Sequence, residues 1–177
     1  MSWKRFFFAA FLLSAILAGD ALLKVYVRTH ISPIHLIASI YPYGGIGVIE
    51  AWHGIDFSIV HAANNGAAWG LFASLKEYLL YARVLIIGAL LSYLLFVKTG
   101  RFRHICLLFI TAGAIGNVLD MFLYGHVIDM FYANLWGYSF PIFNLADTFI
   151  CCGVCLLLLE SYFLKLKRVK KNADKTA

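Results

Sequence analysis

The sequence predicts a membrane α-helical protein, with four transmembrane helices, a small extracytoplasmic β-sheet and both termini in the cytoplasm. Three observations carry this prediction. The 177 residues are 62% hydrophobic and 14% charged, with a mean hydropathy of +0.81, whereas soluble domains run nearer half apolar and a quarter charged. Four apolar runs are long enough to cross a bilayer, and the basic residues gather at one set of their ends.

The runs cover about 6–27, 78–97, 104–124 and 142–164, and a helix rising 1.5 Å per residue needs roughly 20 apolar residues to cross about 30 Å of hydrocarbon. Lys4 and Arg5 precede the first run; Lys98, Arg101 and Arg103 separate the second and third. Lys165, Lys167, Arg168, Lys170, Lys171 and Lys175 follow the fourth. In a chain that crosses four times all of these share one side, and the positive-inside rule makes that side the cytoplasm. The length suits one integral membrane domain over 1–164, with 165–177 as a basic cytoplasmic tail. That tail reads as an orientation signal rather than a nucleic-acid or anionic-lipid patch; a chain embedded in a bilayer has membrane lipids as expected partners, and nucleic acid is not expected. Lys4-Arg5 followed by an apolar stretch and Ala18-Gly19 imitates a secretory signal. The run continues past Gly19 through Leu22, Leu23 and Val25, so an uncleaved helix is expected.

The outer segment, about 28–77, is too long for a simple loop and too apolar for a disordered one. Tyr41-Pro42-Tyr43-Gly44-Gly45 signals a turn, and Ile46–Ile49 and Phe57–Val60 lean towards strand. A small sheet on the membrane surface is expected, with Trp52 and Trp69 at the interface. A second outer stretch follows the third run, and its Trp136, Gly137 and Pro141 suit a short interfacial element and turn. Cys106, Cys151, Cys152 and Cys155 all fall inside apolar runs. They read as small packing residues, with no metal site and no disulfide.

Ionisable groups near a membrane core are expensive and each requires a reason. Asp20, Asp120, Asp129 and Asp147 come from separate regions, yet under this topology all lie near the outer end of a span or just beyond it. Two carboxylates brought close in a low dielectric share a proton. The ionised one can then take a proton from water while the protonated one donates to a carbonyl oxygen, the aspartic protease arrangement. Which two would pair is left open by charge placement. Asp129 and Asp147 are joined by a stretch that could fold back on itself, while Asp120 suits an inward-facing support. Each also has a plainer reading. Asp20 and Lys24 are spaced i,i+4 and could form an ion pair. Asn117 and Asp120 share a helix face and could bond between helices. Asp147 could be an N-terminal helix charge favoured by the dipole.

Five segments together resemble the lipoprotein signal peptidase (signal peptidase II) family. Asp20-Ala-Leu-Leu-Lys24 resembles its D-x-x-x-K at the end of the first helix, and Asn64-Asn65-Gly66-Ala67-Ala68-Trp69 its N-x-G-A-A-F box, with Trp for Phe. Gly113-Ala-Ile-Gly116-Asn117-Val-Leu-Asp120 resembles G-x-x-G-N-x-x-D. Gly125-His-Val-Ile-Asp129-Met-Phe131 and Pro141-Ile-Phe143-Asn144-Leu-Ala146-Asp147 resemble the two stretches that carry the family's catalytic aspartates. The resemblance implies an intramembrane aspartic endopeptidase that removes signal peptides from prolipoproteins, cutting before a diacylglyceryl cysteine, with no cofactor. It implies Asp129 and Asp147 as the catalytic pair. It also implies Asp20, Lys24, Asn64, Gly66, Ala67, Asn117, Asp120, Asn144 and Ala146 as lining or supporting residues. This chain departs from the pattern at Met121, where the family usually has Arg, and at Met130, which displaces Phe131 by one. Arg83 or His126 could substitute for the missing Arg, His126 itself reading as an interfacial polar residue rather than a catalytic base, and the outer insert before Asn64 is long. The competing readings are a small proton-coupled transporter, which the absence of an internal repeat disfavours, and a catalytically inactive relative.

Overall fold

A computed structural model describes residues 3–34, 40–65 and 76–176. Helix α1 covers Trp3–His30, strands β1 and β2 cover Ile46–Trp52 and Ile55–Asn64, and helices α2 and α3 cover Lys76–Phe96 and Arg101–Tyr124. Strands β3 (Val127–Leu135) and β4 (Tyr138–Ser139) then precede helix α4, Leu145–Thr176. All four helices are long and apolar enough to cross a membrane. Their outward faces carry large apolar side chains such as Phe11, Leu85, Phe122 and Leu158, as lipid-facing helices must.

Two helices run further than the apolar runs suggest. Helix α1 extends in both directions, and α4 continues through the basic tail to Thr176, because Lys and Arg are good helix formers and nothing in 165–176 breaks the hydrogen-bond ladder. At its other end α4 begins at Leu145, a few residues late, because Asn144 caps it. Helix α3 is the hub of the bundle, contacting α1, α2 and α4. The α3–α4 approach depends on small residues: a Cβ added to Gly113 would lie 2.3 Å from the Ala146 carbonyl oxygen and 2.7 Å from Ile150 Cγ1. Close backbone approach through small residues is the usual means of packing helices where lipid removes the hydrophobic driving force. Cys106 is buried, but Cys151, Cys152 and Cys155 are exposed on α4, and all four are free thiols. Only Cys106 therefore packs inside the bundle as expected. Gly153, whose added Cβ would meet the Cys106 carbonyl at 2.7 Å, is the small residue at that crossing.

The strands form one antiparallel sheet in the order β1-β2-β3-β4. Both strand-leaning stretches of the outer segment are in it, joined by the His53-Gly54 turn. The stretch after α3, expected as a short interfacial element, is a second hairpin, turning at Trp136-Gly137. Both pairs of turn residues have positive φ (51° and 80°, 50° and 85°), the geometry a two-residue hairpin needs to match strand twist, with glycine second. Trp52 and Trp136 are exposed at these tips; Trp69 lies outside the described residues. The sheet rests on the ends of α1 and α3 through a core of Val27, Ile31, Ile128 and Met130. His61 ties it down, with Nδ1 3.0 Å from the Ile31 carbonyl.

Candidate active site

The four aspartates and their amide neighbours meet where the sheet joins the ends of α1 and α3 and the start of α4. Each arrives by a local rule. Asp20 and Lys24 are one helical turn apart on α1, so both face α3. Asn117 and Asp120 are likewise spaced i,i+3 on α3. Asp129 lies on β3 opposite Ala62, next to a bulge that places one extra residue of β2 between the Ile59–Phe131 and Ala62–Asp129 pairs. Asn64, two residues beyond Ala62 on the same face, reaches diagonally across to Asp129. Phe143 exchanges backbone hydrogen bonds with Phe131, which sets the next residue, Asn144, beside Asp129.

The base of the site is a buried cation among carboxylates. Lys24 Nζ, only 1% exposed, lies 2.6 Å from Asp20 Oδ2 and 2.8 Å from Asp120 Oδ2, and donates to Asn117 Oδ1 at 3.2 Å. All three ammonium protons thus have partners, which is what burying a lysine requires. Asp20 also accepts the Ala146 N–H at 2.9 Å, capping α4 from another helix, and Asp120 accepts the Ile128 N–H at 3.1 Å, anchoring β3. The plainer contacts of these residues are present: Asp20 and Lys24 form an ion pair, and Asn117 and Asp120 both bond across to Lys24 on α1.

Above this base, Asn117 and Asn144 bridge to the other two aspartates. Asn117 Nδ2 donates to Asp147 Oδ1 at 2.7 Å. Asn144 Nδ2 donates to Asp129 Oδ1 at 2.8 Å and lies 3.0 Å from Asn117 Oδ1, while Asn64 Nδ2 donates to Asp129 Oδ2 at 2.8 Å. Asp147 and Asn144 also cap each other's backbone: the Asp147 N–H donates to Asn144 Oδ1 at 2.8 Å, and the Asn144 N–H to Asp147 Oδ2 at 3.2 Å. The amide orientations follow from these partners. Lys24 can only donate, so Asn117 must turn its oxygen to Lys24 and its NH₂ to Asp147; the Asp147 N–H likewise fixes Asn144. The electrostatics differ between the two carboxyls. Asp129 is 2% exposed, and its pKa is pushed up to about 7, chiefly by burial and further by the Asp147 charge, against the hydrogen bonds from Asn64 and Asn144. Asp147 lies in the first turn of α4, held by the Asn117 amide and the Asn144 N–H.

The site therefore unites Asp20, Lys24, Asn64, Asn117, Asp120, Asp129, Asn144, Ala146 and Asp147; Gly66 and Ala67 lie outside the described residues. Among the described residues no group of three or more His, Cys, Asp or Glu could hold a metal ion. At the position usually held by Arg, Met121 is buried. A cation does meet this end of α3: the Arg28 guanidinium sits 4.5 Å from the centre of the Tyr124 ring. Sequence reasoning overlooked Arg28, and it overlooked the mutual cap of Asn144 and Asp147, although Asn three residues before an acid at the start of an apolar run is a capping-box signal.

A family model described as signal peptidase (SPase) II matches residues 12–163. The chain belongs to the signal peptidase II family. A lipoprotein signal peptidase of Chlamydia pneumoniae is 40% identical over 125 residues, covering 70% of this chain and 74% of that protein. The lipoprotein signal peptidase of Chlamydia muridarum is 38% identical over 165 residues, 90% of this chain and 92% of that one. Among solved structures, a bacterial membrane enzyme determined in meso at 2.3 Å matches with a TM-score of 0.71 and 27% identity, covering 87% of both chains. A second, determined at 1.9 Å, matches with a TM-score of 0.67 and 28% identity over 86% of this chain and 90% of that one. Signal peptidase II is a lipoprotein-processing protease, and this membership sets aside the transporter reading.

Proposed function

We propose that Asp129 and Asp147 are the catalytic pair of this signal peptidase II, with Asp147 the base and Asp129 the acid. The observation that carries the assignment is Asn144, whose side-chain amide donates to the buried Asp129 carboxyl, raised to about 7, and whose backbone N–H donates to the Asp147 carboxyl at the start of α4. A dyad needs one member that holds a proton near neutral pH, and in this reading Asp129 is that member.

In this reading Asp147 takes a proton from water as the water oxygen attacks the scissile carbonyl, and Asp129 gives its proton to the carbonyl oxygen. The product is a neutral tetrahedral diol. In the collapse Asp129 recovers a proton from a diol hydroxyl, the proton held by Asp147 passes to the departing nitrogen, and the C–N bond breaks. Both carboxyls return to their starting states. Asn117 and Asn144 keep the lone pairs aimed, while Asp20, Lys24 and Asp120 hold the helix ends on which those amides sit. The substrate is a prolipoprotein cut before its diacylglyceryl cysteine. With both termini cytoplasmic, the orientation the positive-inside rule favours, the pair lies at the extracytoplasmic interface. There a substrate's signal helix and acyl chains stay in the bilayer while water enters from outside. The outer segment, long and carrying Trp52, would cover the pair as a flap.

The test is cleavage of a lipidated prolipoprotein by purified wild type, Asp129→Asn and Asp147→Asn in detergent. Asparagine keeps the shape but cannot cycle a proton, so each variant should fold and lose about three orders of magnitude or more of kcat. Folded variants that cleave at near wild-type rates would remove the assignment.

A further inference from the structure

At the end of the bundle opposite the aspartates, the start of α1, the end of α2 and the start of α3 enclose a cleft of about 400 Å³. Its rim carries Lys4, Arg5, Lys98 and Arg101, and no acidic side chain lines it among the described residues. Its walls are apolar, including Leu94, Phe96 and Ile105. Orientation of the chain explains why cations gather at this end, but it requires only their number. It does not account for a concave arrangement around a cleft.

Two further features point to a ligand. Thr99 and His104 line the cleft, and Thr99 Oγ1 and His104 Nε2 are buried polar atoms without a hydrogen-bond partner, a state that carries a cost unless something satisfies it. Between them Gly100 precedes α3, which has no side-chain cap and no acidic residue in its first turn. The backbone N–H groups of that turn are thus left to bind an anion. Cations, orphaned polar atoms and an uncapped helix start converge on one negatively charged oxygen-rich group.

We propose that this cleft binds the phosphodiester headgroup of an anionic membrane glycerophospholipid. Arg101, Lys98 and the first turn of α3 take the phosphate oxygens, with Thr99 and His104 at the floor. The acyl chains leave along Phe8 and Phe96, which are exposed beside the cleft. Leu94, which lines the cleft, also belongs to the buried apolar cluster with Ala9, Leu107 and Leu108. Helix α2 packs chiefly on α3, so a lipid here would join α1 and α2 at the end that carries the basic residues.

The experiment is native mass spectrometry of the full-length protein in detergent, titrated separately with phosphatidylglycerol, phosphatidylcholine and inorganic phosphate. Two variants accompany it: Lys98→Gln with Arg101→Gln, and Thr99→Val with His104→Phe, which leaves every Lys and Arg in place. Prolipoprotein cleavage reports that each remains folded. Phosphatidylglycerol should bind wild type more tightly than phosphatidylcholine, weaken about fivefold for each basic side chain removed, and weaken also in the charge-conserving variant. Equal retention of the two lipids would overturn the proposal, as would variants that bind phosphatidylglycerol like wild type. Displacement of the lipid by millimolar inorganic phosphate would assign the cleft to free phosphate and overturn the lipid reading.

Discussion

Asn144 and Asp147 cap one another across the first turn of α4, with the Asp147 N–H donating to Asn144 Oδ1 at 2.8 Å and the Asn144 N–H donating to Asp147 Oδ2 at 3.2 Å. The pair has a structural task, satisfying helix-start N–H groups, and it orients the site. Because Asn144 Oδ1 is occupied, its NH₂ must face Asp129. Asn144→Ala should therefore cost about 1 kcal/mol of stability through the lost cap and a larger share of activity through a misplaced Asp129. Differential scanning in detergent beside prolipoprotein cleavage separates the two effects. A variant that melts early but cleaves normally would confine Asn144 to capping.

The raised pKa of Asp129 sets a limit on activity at alkaline pH. Its carboxyl should lose its proton as pH rises through about 7, so kcat/KM for the free enzyme should fall above that value. Asn64 donates to the charged form and lowers this pKa. Asn64→Ala should move the alkaline limb upwards by about one pH unit. A limb that stays in place or moves down would contradict the role given to Asn64. The same shift bears on stability: protonation is favoured by the folded state, so this contribution is complete below the ordinary carboxyl range and lost as pH rises through about 7. Asp129→Asn should flatten that part of the melting profile.

Lys24 pairs with two buried acids at once. Lys24→Met would leave Asp20 and Asp120 without their cation, a change worth about 3–5 kcal/mol when one partner of a buried pair is removed. Replacing both acids as well, Asp20→Asn with Asp120→Asn in the Lys24→Met background, should recover part of the loss. Melting temperatures of the single and triple variants decide this, and a single variant as stable as wild type would refute it.

Gly113 lies at a close approach of α3 to α4. In Gly113→Ala the new methyl would sit 2.3 Å from a backbone oxygen, Ala146 O, which cannot move aside cheaply. Overpacking of this kind costs about 1–3 kcal/mol, and here the displaced segment is the one carrying Asp147. Both melting temperature and cleavage should drop. Gly88→Ala on α2, where a Cβ meets nothing within 4 Å, is the matched control and should leave both unchanged or slightly raise stability.

The sequence by itself determined the number and course of the helices, since four apolar runs of sufficient length leave few alternatives in a bilayer. It also brought Asp20, Asp120, Asp129 and Asp147 to one depth, and the spacing of Asp20 and Lys24 already implied their ion pair. Other features depend on contacts distant along the chain, which no local pattern encodes. The hairpin carrying Asp129 was legible only as a turn near Trp136 and Gly137, because its strand identity comes from pairing with β2. The choice of partner for each aspartate was decided in the tertiary structure. Lys24 turns Asn117, the cap at Asp147 turns Asn144, and those two amides, from separate helix ends, distinguish Asp129 and Asp147 from Asp20 and Asp120. Four carboxyls at one depth are alike in sequence; they differ in the donors that folding places around each.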